Sequence, residues 1–324
     1  MAGFVRLSGL DAVPDALRGA VVAIGNFDGF HRGHQAVFAA LKARARERGR
    51  PAVVVTFEPH PRDVFAPQPF MFRLTTGDAK ARLAEALELD GIVVLPFDRP
   101  FSQIEAEDFV ERFLVQALQA SGVIIGADFL FGRNRRGTPD FLRAAMQGRG
   151  CSVEVLDLIE DGNEPISSSR IRAALAEGQL DLANRLLGYH WFIDGEVVHG
   201  DRRGRELGFP TANIAATAGF NLAQGVYAVR GLIRGRLVDG VASHGKPMFN
   251  NQRPPFEPHF FDFDEDIYGE HISVALISHI RGQKVFSGLD ELIAAIAADS
   301  AEARRVLAAA RPIGVLDRHL GFFG

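Results

Sequence analysis

Residues 21–35 read V-V-A-I-G-N-F-D-G-F-H-R-G-H-Q, and this stretch decides the fold. Val21 to Ile24 is a short apolar run rich in β-branched residues, which suits a buried strand and is too short for a buried helix. Gly25, Asn26, Asp28 and Gly29 are turn formers, so the chain leaves the sheet there. From His34 the residues to Lys42 suit a helix, with Val37, Phe38 and Leu41 on one face. Strand, polar glycine-containing loop and helix N-terminus, in that order, make the place where α/β proteins hold anions. Free backbone N–H groups and the positive end of the helix dipole point there at the mouth of the sheet.

The same alternation continues. Buried strands are predicted at Pro51 to Phe57, Gly91 to Phe97, Gly122 to Gly126 and near Ser152 to Leu158. Helices are predicted between them: one capped by Thr75 or Thr76 with Ala79, Leu83, Ala86 and Leu87 on one face, one from about Glu105 to Ala120, and one near Asp140 to Gly148. This order implies a doubly wound parallel sheet, Rossmann-like in layout. The first twenty residues suggest only a short capping element. Pro59 and Pro61, in T-F-E-P-H-P-R, predict a polar loop without a helix.

Around Leu187 and Gly188 the helical pattern stops and closely spaced strands begin, at Trp191–His199, Gly225–Ile233, Leu237–Ala242, Pro258–Phe263 and His271–His279. They predict a small antiparallel β-barrel, closed on one side by a helix over Leu289 to Ala309. The expected division is therefore residues 1–188 and 189–324.

Composition narrows the class. At 324 residues, 47% hydrophobic and 23% charged, the chain has room for two cores of ordinary soluble type. No apolar run nears the roughly 20 residues of a membrane span, and Asp11 and Pro14 interrupt any signal-like core. One cysteine, Cys151, forms no internal disulfide, which favours the cytoplasm. A net charge of −4 argues against a nucleic-acid-coating surface. The 26 phenylalanines against one tryptophan imply extra apolar core and nothing more specific.

Several motifs carry chemistry. His31 and His34 stand three apart, so on a helical turn both can donate to one phosphate; solvated histidines or a zinc pair are the alternatives, the latter lacking further ligands at suitable spacing. Asp128 followed by Arg133, Arg135 and Arg136 suits a ribose and a triphosphate, or a solvated charge run. Ser167, Ser168 and Ser169 can cap a helix whose first turn brings Arg172, gathering hydroxyls, N–H groups and a guanidinium. In G-D-R-R-G-R-E-L-G-F-P-T-A-N-I, Gly200 to Ile214, a glycine-rich loop ends in Thr211 and Asn213, two oxygens suited to Mg²⁺. Neither a G-x-x-x-x-G-K-[ST] loop nor a strand-linked G-x-G-x-x-G occurs, so phosphate handling falls to these elements.

The string from Gly25 to Gln35 resembles the adenylyltransferase signature of the bifunctional bacterial riboflavin kinase/FMN adenylyltransferase (FAD synthetase) family, and the resemblance runs over nearly the whole chain. It implies two ATP- and Mg²⁺-dependent steps: riboflavin to FMN in the barrel, and FMN to FAD at the parallel sheet with pyrophosphate release. His31, His34 and Arg172 would stabilise charge at the α-phosphate, together with Mg²⁺ and helix N-termini. Gly25, Asn26, Phe27, Asp28, Gly33, Asp128, Ser168 and Ser169 would hold nucleotide. The T-F-x-P-H-P segment, with Pro59 and His60, would line the flavin site. In the barrel, Gly204, Thr211 and Asn213 would hold Mg-ATP, Asn213 would also reach flavin, and Glu257 would take the proton from the riboflavin 5′-hydroxyl. Met248, Pro258 and Glu265 depart from the family pattern, which leaves an alternative: an adenylyltransferase with a degenerate kinase barrel. The implied partners are ATP, riboflavin and FMN, with weak self-association allowed and neither nucleic acid nor membrane expected.

Overall fold

The computed structural model describes residues 3–10, 12–199, 209–215, 218–245 and 256–324. They group into two compact units, one of residues 1–71 and 75–167, the other of residues 72–74 and 168–324.

The first unit is built on a six-stranded sheet. Its strands are β1 (Val5–Ser8), β2 (Val21–Ile24), β3 (Ala52–Glu58), β4 (Gly91–Pro96), β5 (Gly122–Gly126) and β6 (Ser152–Leu156), in the spatial order β1-β4-β3-β2-β5-β6. Every pairing is parallel. The inner strands are buried almost throughout, as strands covered on both faces must be, which is why they read as unbroken apolar runs. Helices α1 (Arg32–Arg48), α2 (Pro61–Val64), α3 (Gly77–Ala86), α4 (Ala106–Phe109, continued as a π-helical stretch over Val110–Ala117) and α5 (Pro139–Met146) connect them. From β2 the chain winds outward through β3 and β4, then returns to β5 on the other side of β2. The connections after β2 and β5 therefore diverge, and the crevice between their carboxyl ends is the topological switch point of the sheet.

Three expectations for this unit need amending. The first twenty residues hold a real strand, β1, whose V-R-L-S alternates half-buried and exposed against β4, so a four-residue edge strand hid in a segment without a strong apolar run. Pro59 and Pro61 do not exclude a helix: Pro61 occupies the first turn of α2, where its missing N–H costs nothing, and His60 caps it. Helix α1 starts at Arg32 rather than His34, because His31 is its N-cap. The phenylalanine excess also acquires a reason. Phe57, Phe97, Phe101, Phe109, Phe113, Phe129, Phe131 and Phe141 form one chain of ring contacts, with centroids 5.2 to 6.4 Å apart.

The second unit opens with α6 (Ser168–Ala176) and α7 (Leu180–Leu187), the latter ended by Gly188 in the left-handed region at φ 77°. Strands β9 (Phe192–Val198), β10 (Asn213–Ile214), β11 (Gly225–Ile233), β12 (Arg236–His244), β13 (Phe256–Phe260) and β14 (His271–Gly282) close a barrel in the order β10-β13-β12-β11-β14-β9, all antiparallel; a short β7-β8 hairpin (Glu160–Asp161, Glu164–Pro165) belongs to the first unit. Helix α8 (Leu289–Ala309) packs on β11, β12 and β14, and α9 (Val315–His319) follows. Pro258, awkward for a central strand, nevertheless sits in β13 between β10 and β12. Its carbonyl accepts from Ala212 N–H at 2.9 Å, so its missing N–H faces the two-residue strand β10, and only one ladder bond is lost. Glu265 pairs with Arg234 (2.6 Å) and Arg236 (2.5 Å) at the β11-β12 hairpin, a local reason for a carboxylate at that turn.

Candidate functional site

In the first unit the turn from Gly25 to His34 lies at the switch point. Phe27 and Phe30 adopt φ of 44° and 41°, a left-handed backbone that bulky residues take only where surroundings impose it. Their rings do so: Phe27, Phe30 and Phe38 pack on one another at 4.8 to 6.3 Å, and any Cβ on Gly25 would come within 3.0 Å of the Phe27 ring. The bulky rings hold the backbone of the turn while Asn26 stays exposed.

His31 caps α1, its Nδ1 accepting from His34 N–H at 3.4 Å, which requires a bare Nδ1 and places the ring proton on Nε2. The two imidazoles stack face to face at 3.5 Å. His34 Nδ1 is buried with no hydrogen-bond partner among the described residues. Burial, the neighbouring His31 and the Lys80 ammonium hold the His34 imidazole well below the ordinary histidine range. His34 is therefore a neutral group near pH 7, and the stacked pair presents N–H dipoles at a helix N-terminus. Gly33 is tight: a Cβ there would meet the His31 ring at 3.1 Å and the carbonyl of Ile166 at 3.7 Å.

The turn is braced from behind. Asp28, buried, accepts from Thr75 N–H (2.9 Å) and Thr75 Oγ1 (3.0 Å), and Gly29 N–H donates to the same hydroxyl oxygen at 2.9 Å. Asp28 is thus held in place by Thr75. Thr56 Oγ1, at the end of β3, donates to the carbonyl of Asn26 at 2.9 Å, which ties the T-F-E-P-H-P segment to the turn. His60 is buried and its Nδ1 accepts from Arg62 N–H at 3.2 Å, while Pro59 is exposed. Asp63 secures the following loop through bonds from Phe70 and Met71 N–H, both 2.9 Å. Past β5, Asp128 and Arg133, Arg135 and Arg136 are exposed, Arg133 pairing with Glu105 at 3.1 Å.

In the second unit, α6 begins at Ser168 with Ser169 next, and Arg172 falls in its second turn rather than its first. Arg172 Nε donates to the carbonyl of Phe72 at 2.5 Å, which fixes the guanidinium stem. In the barrel, Ala212 and Ile214 are buried while Thr211 and Asn213 share the opposite, half-buried face. Ile214 stands opposite Phe256, so one step along the antiparallel register Asn213 stands beside Glu257, and the bond from Ala212 to Pro258 continues that register. Ser243 Oγ approaches Glu257 Oε2 at 3.5 Å. A pocket of about 200 Å³ opens at Thr211, lined also by Phe260, Asp264, Asp266 and Tyr268 among others. Gly204, the arginines around it and Met248 lie outside the described residues. Thr211 and Asn213 offer hard oxygen donors of the kind Mg²⁺ takes. Among the described residues no group of three or more His, Cys, Asp and Glu is arranged to hold a metal ion.

Sequence reasoning missed what Thr56, Thr75 and Lys80 hold, since their partners lie tens of residues away along the chain, and it missed Asp63, which acts within its own loop. The pocket residues 260–268 were equally hidden, since only barrel closure brings them to Thr211.

Residues 13–170 match the family model described as FAD synthetase, and residues 187–307 the model described as riboflavin kinase. The chain is 39% identical over 296 residues to the bifunctional riboflavin kinase/FMN adenylyltransferase of Escherichia coli strain K12, covering 91% of this chain and 95% of that protein. Its counterpart in Bacillus subtilis strain 168 is 36% identical over 293 residues, with 88% and 92% covered. Among solved structures, one described as a macrolide-efflux protein from Streptococcus pneumoniae superposes with a TM-score of 0.80 at 30% identity, over 93% of this chain and 98% of that one.

Proposed function

The chain belongs to the bifunctional riboflavin kinase/FMN adenylyltransferase family, and from that premise we propose that it makes FAD from riboflavin in two ATP-consuming steps. Residues 1–188 would carry adenylylation and residues 189–324 phosphorylation.

For adenylylation, a phosphate oxygen of FMN attacks the α-phosphorus of ATP and pyrophosphate leaves. Nucleophile and leaving group are already ionised near neutral pH, so no strong base is required and the task is to align two anions and stabilise charge. Gly25, Asn26, Phe27 and Gly33 shape the backbone at the start of α1, Asp28 fixes that turn, and the neutral rings of His31 and His34 offer N–H donors there. The family resemblance assigns nucleotide binding to Ser168, Ser169 and Arg172 as well, Asp128 would take the ribose, and Pro59 and His60 would border the flavin. The observation that carries this reading is the unpartnered, buried Nδ1 of His34 at a helix N-terminus in the switch-point crevice.

For phosphorylation, Glu257 takes the proton from the riboflavin 5′-hydroxyl as that oxygen attacks the γ-phosphorus of ATP and ADP leaves with the bridging oxygen. Thr211 and Asn213 would hold Mg²⁺, which when bound offsets triphosphate charge, and Gly204 would approach the phosphates. Asn213 beside Glu257 joins metal and base on one face. Substrates such as ATP and riboflavin fit a cytoplasmic enzyme; among the described residues no helix is long and apolar enough to cross a membrane.

One assay tests both steps. The protein is incubated with ATP and Mg²⁺ plus either riboflavin or FMN, and the flavins are separated by chromatography. FAD from both substrates is the expected result. FAD from FMN alone would leave only the adenylyltransferase, and no product from either would overturn the proposal.

A further inference from the structure

Lys80 is the unexpected charge of the first unit. It is 2% exposed, one turn into α3, and reads in the sequence as an ordinary surface lysine of an amphipathic helix. A buried ammonium needs partners, and Lys80 meets the carboxylate of Glu58 at 2.9 Å and Thr56 Oγ1 at 3.2 Å. Both partners stand at the end of β3, where the chain leaves the sheet beside the turn after β2.

The direction of these bonds is fixed by chemistry. An ammonium donates only, so the Thr56 oxygen must accept from it, and the hydroxyl proton is then directed to the carbonyl of Asn26 at 2.9 Å. A polarised chain runs from Lys80 Nζ through Thr56 to the backbone of the turn. The same helix begins at Thr76, directly after Thr75, whose hydroxyl and N–H hold Asp28 and Gly29. Helix α3 therefore grips the turn at both Asn26 and Asp28.

We propose that Lys80 is a positioning residue for adenylyl transfer, holding the Gly25–His34 turn in its reactive arrangement through Thr56 and Asn26. The assignment rests on the adenylyltransferase reading of this unit. The titratable groups that face His34 are His31, stacked on it, and Lys80, itself paired with Glu58; Phe27 and Phe38 complete its surroundings with uncharged rings.

Lys80→Met alone would strand the Glu58 carboxylate, so the test uses two gentler variants of the full chain. Glu58→Gln with Lys80→Met removes both charges at similar volume. Thr56→Val breaks the chain to Asn26 and leaves the ion pair in place. Both are expected to lower kcat for FAD formation from FMN at least tenfold, with KM for ATP within twofold and riboflavin phosphorylation unchanged. Wild-type kcat in both folded variants would overturn the proposal. A wild-type protein that makes no FAD from FMN would defeat the adenylyltransferase reading, and the role of Lys80 with it.

Discussion

Asp317 offers a sharp test of what holds the barrel unit together. Its side chain is wholly buried on α9 and accepts three hydrogen bonds: from His190 N–H (2.8 Å), from His190 Nδ1 (2.9 Å) and from Ile313 N–H (2.7 Å). These join the C-terminal helix to the residue that precedes the first barrel strand. Asp317→Ala leaves the two His190 donors buried and unpaired, at about 1–3 kcal/mol each, while water can reach the half-open Ile313 N–H. Removing a buried carboxylate recovers part of that cost, which leaves a net loss of about 3 kcal/mol. For a unit of this size that is roughly 6–12 °C in melting temperature. The chain's single tryptophan, Trp191, is buried in the same unit, next to His190, and donates through Nε1 to Leu74 O at 2.9 Å. Its fluorescence during urea unfolding reports this transition directly. Asp317→Asn keeps one acceptor oxygen and is expected to lose about half as much. A urea midpoint for Asp317→Ala within error of the parent, at unchanged slope, would refute the reasoning, because the three bonds would then contribute nothing net.

Two further outcomes follow from ionisation. The folded-state pKa of His34 lies well below its ordinary value of 6.5, so below about pH 6.5 the unfolded chain binds a proton that the native one does not. Stability contributed at this site is complete above that pH and falls as pH drops, by up to about 1.4 kcal/mol per unit; His34→Gln should flatten the fall, measured as the change in urea midpoint by far-UV circular dichroism, and equal slopes would count against a neutral His34. Burial pushes the Cys151 thiol from 9.0 to about 11, so alkylation by iodoacetamide at pH 8 should run about 100-fold slower in the native protein than in the unfolded chain. Equal rates in the two states would show the thiol to be open.

What the sequence by itself determined was everything written in local pattern. Unbroken apolar runs announced the parallel strands, since a strand covered on both faces must be apolar at every position. The helix Leu289–Ala309 and the hairpin strand Gly225–Ile233 were legible to the residue, because period and turn chemistry agree there. The string from Gly25 to His34 announced its order of strand, loop and helix. Strand β1 escaped because four alternating residues on an edge carry too little pattern. The short helix α2 escaped because proline was read as a breaker where it stood at a first turn.

Tertiary structure alone decided which polar groups meet. Nothing in the composition of α3 says that Lys80 is buried against Glu58, that Thr75 holds Asp28, or that the His34 imidazole is held below its ordinary range. Each depends on partners tens of residues away, and on a desolvation that exists only once the sheet and its helices have closed over them. The placing of Asn213 beside Glu257 has the same origin, since a barrel must close before its two-residue strand has a neighbour. Local periodicity fixes the elements because it acts through the chain; the charge and hydrogen-bonding state of a site is fixed by distance and burial, which act across it.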